Sequence, residues 1–223
     1  CSVRRQRQMC IRDRMGRVCP APCQSGCNRN EVDDYVGINA VEQFIGDKAI
    51  KEGYTFDPAP KLQKERVAII GGGPAGLSAA YQLRKMGYAS TIFEERKELG
   101  GMMRYGIPGY RTPRDLLDKE IERIINLGDI EIILGKRVGK DVKLEDVEKS
   151  HDAVLWTIGC WNGKAIPVDG GDATNCITGV DFLEAFCDGR LKVGSKKVIC
   201  VGGGDTSIAV SYTHLRAHET GYN

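Results

Sequence analysis

The apolar positions of this chain change period along its length. Residues 38–52, INAVEQFIGDKAIKE, place Ile38, Val41, Phe44 and Ile45 at the spacing of one helix face. Residues 53–65, GYTFDPAPKLQKE, are polar and proline-bearing and read as a linker. A new unit then starts sharply. RVAII (66–70) is a short apolar run ending in glycines, as a buried parallel strand does. AGLSAAYQLRKMG (75–87) is rich in helix formers and is closed by Gly87. STIFE (90–94), IEIIL (130–134) and AVLWTIG (153–159) read as further strands, and PRDLLDKEIERIINL (113–127) as an amphipathic helix opened by a proline. KVICVGGGDTSIA (197–209) repeats the grammar of strand, glycine turn and helix start. Strands alternating with helices predict an α/β sheet built through crossovers.

The two ends do not follow this grammar. CSVRRQRQMCIRDR (1–14) has neither period, and its arginines at 4, 5, 7, 12 and 14 would fit a nucleic-acid arm. RRQRQMCIRD, however, looks like a translated frame of a transposase-type sequencing adapter, and VSYTHLRAHET (210–220) like a frame of the partner adapter. The expectation is therefore a biological segment from about Met15 to Ala209, an internal piece of a longer gene. The charge picture changes with it. The whole chain has 32 basic and 30 acidic residues, net +2; without 1–14 and 210–223 it has 26 and 28, net −2. Nothing in the remainder argues for nucleic acid or an anionic membrane surface. His214 and His218 fall in the set-aside tail, which leaves little basis for histidine catalysis. No apolar run reaches membrane-spanning length, and no signal peptide is visible.

The chemistry concentrates at the first glycine turn, Gly71-x-Gly73-x-x-Gly76. The spacing alone is weak, but a strand before it and a helix after it make a dinucleotide fold. Gly71 permits the tight turn, Gly73 lets a pyrophosphate approach the backbone, and Gly76 lets helix and strand pack closely. The helix that starts at Pro74 offers, from Ala75 onward, N–H groups and a partial positive charge to phosphates. Glu94 ends the second strand, 18 residues after Gly76, where an acid accepts from ribose hydroxyls and disfavours a 2′-phosphate. FAD or NAD thus suits this turn better than NADP. The glycine pair Gly100–Gly101 follows soon after, and Thr157-x-Gly159 closes a later strand. The second turn, Gly202, Gly203, Gly204, Asp205, Thr206, Ser207, is the candidate pyridine-nucleotide site.

VCPAPCQSGC places Cys19, Cys23 and Cys27 four residues apart, and a tetrahedral ion or a cubane cluster needs a fourth ligand. Zinc usually pairs cysteines two to four residues apart and needs a second pair, which is not seen. Nine cysteines at irregular spacing do not form a secreted disulfide framework. Cys160, Cys176, Cys187 and Cys200 read as ordinary buried or half-buried thiols.

RVCPAPCQSGC, VAIIGGGPAGLSAA, GGMMRYGIPGYRTP and VGGGDTS, in this order, resemble the small subunit of NADPH-dependent glutamate synthase, a module that also forms the amino-terminal half of dihydropyrimidine dehydrogenase. The resemblance spans nearly all of 15–209. It implies a helical iron–sulfur region (15–60), a Rossmann-like FAD-binding domain (61–195) and the start of a second Rossmann-like NAD(P)-binding domain (196–209). By similarity, Cys19 and Cys23 would serve one [4Fe–4S] cluster together with an upstream cysteine and Glu42, and Cys27 would reach a second cluster. Such sharing is familiar from two-cluster ferredoxins. FAD contacts implied are Gly71, Gly73, Pro74, Ala75, Gly76, Glu94, Gly101, Arg111 and Val138; nicotinamide-nucleotide contacts are Gly202, Gly204, Asp205 and Thr206. The family transfers electrons from NADPH through FAD and the clusters to a partner, the large subunit in glutamate synthase, and is cytoplasmic. The upstream cysteine group is absent here, so the expectation is that clusters do not assemble stably on this chain and FAD binds weakly. The alternatives are the same electron-input module serving another partner (a dihydropyrimidine-reducing domain, a hydrogenase or a ferredoxin) and a non-catalytic dinucleotide-binding protein.

Overall fold

The computed structural model describes residues 17–191 and 197–219. Its centre is a four-stranded, all-parallel sheet: β1 (Arg66–Ile70), β2 (Ala89–Glu94), β3 (Ile130–Leu134) and β4 (Ala153–Trp156), in the order β3-β2-β1-β4. Ile69 lies opposite Ile92 of β2 and Leu155 of β4. The chain runs outward from β1 through β2 to β3, then returns to add β4 on the far side of β1. The strand order therefore reverses at β1, and such reversals leave a crevice at the carboxyl ends of the strands, where ligands bind.

Ahead of the sheet lie α1 (Pro22–Ser25), a short 3-10 turn (Asn28–Glu31) and α2 (Ile38–Lys51). Helix α3 (Pro74–Lys85) connects β1 to β2; α4 (Met102–Tyr105) and α5 (Arg114–Ile125) lie between β2 and β3; α6 (Leu144–Ser150) leads into β4. Helices α7 (Gly179–Cys187) and α8 (Asp205–Glu219) follow. Among the described residues, no helix is long and apolar enough to cross a membrane.

Strand alternation splits the core into two layers. Ile69 and Ile92 face α3 and α5, where they meet Leu77, Ala80, Leu117, Ile121 and Ile124, all buried. Ala68, Ile70 and Phe93 face the other way, onto Val147 of α6. Leu77 and Leu117 are almost completely buried, so truncating either to alanine costs about 2–5 kcal/mol.

Four expectations change. Helix α2 forms, but Val41, Phe44 and Ile45 stay exposed while Gly46 is buried. A bidentate bond from Arg17 to Asp47 helps fix its orientation. The 53–65 stretch is tied down along its length. Tyr54 accepts from Arg123 at 3.0 Å. Phe56 packs edge-on against Tyr81 and under the Arg123 guanidinium. Arg84 donates to the Ala59 carbonyl at 3.2 Å, and Gln63 N–H to Gly87 at 2.8 Å. Lys197–Val201 does not form a strand: Val198, Ile199 and Val201 are exposed, and among the described residues no strand pairs with them. Cys160, Cys176 and Cys200 are exposed, and only Cys187 of those four thiols is half-buried. Helix α8 passes through residues 209 and 210 without a break, burying Val210 and Thr213. Residues 1–14, with Cys10, lie outside the described residues.

Candidate nucleotide-binding site

The first glycine turn sits at the crevice, between the ends of β1, β2 and β4. Two close approaches fix its outer glycines. Gly71 has φ +109°, and a side chain there would put its Cβ 2.5 Å from the Thr157 carbonyl. A Cβ on Gly76 would stand 2.0 Å from the Gly71 carbonyl, which is backbone and cannot yield. Gly73 differs: its φ is −76°, and the nearest atom to an added Cβ is Gly101 Cα at 3.6 Å. Gly71 and Gly76 are thus demanded by packing, whereas Gly73 is demanded by nothing in the protein itself.

Neighbouring segments brace the turn. Thr157, just past β4, directs its hydroxyl at the Ile70 and Gly71 carbonyls, 3.0 and 2.9 Å away. Gly100 N–H donates to the Gly72 carbonyl at 2.9 Å, and a Cβ on Gly101 would meet Gly73 Cα at 2.6 Å. The Gly100–Gly101 pair therefore lies directly against the turn.

Glu94 is buried at the end of β2. Its Oε2 accepts from Gly72 N–H at 2.7 Å and its Oε1 from Arg96 N–H at 2.8 Å. A carboxylate offers about four lone-pair sites, so two remain for a ligand's hydroxyls. Helix α3 starts at Pro74 with Gly73 as its N-cap and no side-chain cap. Pro74 has no N–H, and the first intrahelical donor is Leu77, to Gly73. The Ala75 and Gly76 amides are left at the positive end of the helix. An uncapped amide cradle, an open space at Gly73 and a buried acid fit a nucleoside diphosphate.

The other named residues are spread out. Arg111 is exposed in the loop between α4 and α5. Val138 is half-buried in the loop after β3, bridged to Val142. Gly202, with φ +118°, and Gly204 precede α8, Asp205 and Thr206 begin it, and all four are exposed. Cys19 accepts from Ala21 N–H at 3.4 Å, and Cys27 accepts from the backbone at Val36 and Arg29, which holds its thiol below the usual range. Cys23 and Glu42 are exposed. Among the described residues, no three Cys, His, Asp or Glu side chains group closely enough to hold a metal ion, so the thiols present do not by themselves make a metal centre.

One residue of the site has no signal in the spacing of the motifs. Arg96, two positions past Glu94, donates its N–H to that acid and lays its guanidinium over the edge-on pair Trp161 and Tyr105, 4.2 and 5.0 Å from their ring centres. Its Nη1 bonds Glu184 of α7. Burial pulls this guanidinium down, but Glu184, Glu95 and Asp188 more than restore it, and its net shift is upward.

Residues 65–221 match the family model for pyridine nucleotide-disulphide oxidoreductases. The chain is 41% identical over 218 residues to the NADPH-Fe(3+) oxidoreductase subunit beta of Geobacter sulfurreducens, covering 92% of this chain and 32% of that subunit. It is 32% identical over 212 residues to the NADPH glutamate synthase small chain of Bacillus subtilis, covering 90% of this chain and 43% of that one. The chain thus spans less than half the length of these relatives. Among solved structures, a 2-naphthoyl-CoA reductase superposes with a TM-score of 0.57 at 21% identity over 82% of this chain and 25% of its own, a likeness of fold. With the glycine turn, its acid and the parallel sheet in place, the family match over most of its length makes this chain a member of the pyridine nucleotide-disulphide oxidoreductase family.

Proposed function

We propose that this chain is the FAD- and nucleotide-binding portion of an electron-input subunit of the NADPH glutamate synthase small-chain type. The observation that carries the reading is the turn at Gly71–Gly76, left open at Gly73 and backed by the buried carboxylate of Glu94. When bound, FAD supplies hydride acceptance from NADPH and onward electron transfer. The chain's own residues do the placing. The Ala75 and Gly76 amides and the α3 dipole hold the diphosphate. Gly101 keeps the neighbouring backbone close without a side chain. Glu94 uses its two spare lone-pair sites for ribose hydroxyls. Gly202, Gly204, Asp205 and Thr206 are proposed to receive the nicotinamide nucleotide, with Arg111 and Val138 as further FAD contacts. Cys19, Cys23, Cys27 and Glu42 are proposed as part of the ligand sets of two [4Fe–4S] clusters, completed by ligands from outside this chain's described residues. The N–H donors on Cys19 and Cys27 fit that role, since hydrogen bonds to sulfur tune cluster potentials. The receiving partner is proposed to be a catalytic large subunit, in the cytoplasm.

A second reading keeps the same module with a different electron acceptor. It is favoured by the 41% identity to an iron(III)-reducing subunit. The test is to express the chain together with whatever its gene encodes on either side. A yellow-brown protein that reduces a dye with NADPH is the expected product. A colourless protein with no such activity overturns both readings. Dye reduction combined with glutamate formation, once an adjacent large subunit is added, separates the first from the second.

A further inference from the structure

Arg96 is gripped at both ends. Its main-chain N–H donates to Glu94 Oε1 at 2.8 Å, and its guanidinium bonds Glu184 on α7 while lying over the Trp161 and Tyr105 rings. Its Nε is buried and unbonded among the described residues, so the pair with Glu184 is its main polar anchor. Helix α7 in turn packs on α8: Phe182 and Leu183 form a buried cluster with Val210. Gly179, which opens α7, lies so close to the start of α8 that an added Cβ would stand 2.9 Å from Thr206 Cγ2. Helix α8 begins at Asp205, directly after the second glycine turn.

We infer that Arg96 is a positioning residue that ties the acid of the first turn to helix α7, so that a ligand seated on Glu94 is felt by the α7–α8 pair beside the second turn. The inference rests on reading Glu94 as the acid of a nucleotide site. The physical reason is geometric. A hydroxyl that draws on the Glu94 carboxylate moves the Arg96 peptide, and the guanidinium is confined by two rings and a carboxylate. A half-buried pair has little room to slide, because a misaligned charge there is left without its partner or its water. An exposed pair would transmit almost nothing. Coupling of this kind is reciprocal. A change at Glu184 therefore alters affinity at the first turn, and a change at Glu94 alters the mobility of α7.

Hydrogen exchange on the ligand-free chain tests one direction. Glu94→Gln should speed exchange of the 182–187 amides by about threefold or more, and this increment should vanish in an Arg96→Ala background, or in Arg96→Lys if the alanine variant does not fold. Unchanged 182–187 exchange in Glu94→Gln, or the same increment without Arg96, overturns the inference. FAD titration tests the reverse direction. Glu184→Gln should weaken FAD binding by about fivefold, whereas Arg190→Ala, which removes the second, exposed partner of Glu184 at 3.2 Å, should leave it unchanged. Equal affinities for Glu184→Gln and wild type overturn the inference as well. The exchange experiment needs no ligand, so failure of the wild-type chain to bind FAD would sink the flavin reading while leaving the coupling decided.

Discussion

The two glycine turns are spelled almost alike, GGGPAG at 71–76 and GGGDTS at 202–207, and they end in different surroundings. Both begin with a glycine in the same unusual conformation, φ +109° at Gly71 and +118° at Gly202, and both lead into a helix. Yet β1 is flanked on both sides and Ala68 is fully buried, whereas Ile199, at the matching distance before its turn, is 91% exposed. The turn and the helix start are local: a glycine at φ > 0 and a run of helix formers suffice. A parallel strand is not local, because its N–H and C=O groups need partners that arrive from far along the chain. The first turn can therefore be a finished site, while the second is the outline of one.

The comparison is broken or sharpened by substitutions at matched positions. The largest effect is expected at Gly76→Ala, which drives a Cβ into the Gly71 carbonyl and should cost about 3 kcal/mol or more. Its counterpart Ser207→Ala should stay within about 0.5 kcal/mol in the same denaturant melt. Equal losses at the two positions would erase the difference between the turns. Gly71→Ala should cost about 2–3 kcal/mol, because a backbone carbonyl blocks it as well as its φ. Gly202→Ala should cost about 1–2 kcal/mol, the left-handed penalty alone, since the Ser207 hydroxyl that it meets at 2.9 Å can turn away. Thr157→Val removes the hydroxyl brace on Ile70 and Gly71 and should cost about 1 kcal/mol. The smallest perturbation is chemical. Backbone donors lower the Cys27 pKa, whereas burial raises that of Cys187, so the Cys27 thiolate is present at lower pH. Iodoacetamide mapped by mass spectrometry should mark Cys27 at lower pH than Cys187; the reverse order would contradict the described surroundings.

Much of the fold is legible in the sequence because each signal has a short-range cause. The apolar runs at 66–70 and 130–134 are strands at those bounds, and the Gly71–Gly76 spacing lies between strand and helix as read. Three things were not legible. The exposed side of α2 depends on what α2 packs against, and periodicity cannot say which face a helix buries when Gly46 and Ile50 compete with Phe44. The bracing of 53–65 depends on Arg84 and Arg123, two arginines from distant helices that donate to backbone carbonyls no pattern marks. Arg96 escaped because its partners, Trp161 and Glu184, lie 65 and 88 residues away in sequence and belong to no motif.

The central claim is that the first turn is held open for a ligand's diphosphate, and Gly73→Ala tests it most directly. The added methyl would make only an ordinary 3.6 Å contact inside the protein, at a φ any residue adopts. FAD titration by flavin fluorescence, run beside a thermal melt, should show saturable, weak binding by the wild-type chain and at least a tenfold loss, about 1.4 kcal/mol, in the variant at unchanged melting temperature. Equal FAD affinity in the two proteins, or no saturable binding by either, would contradict it.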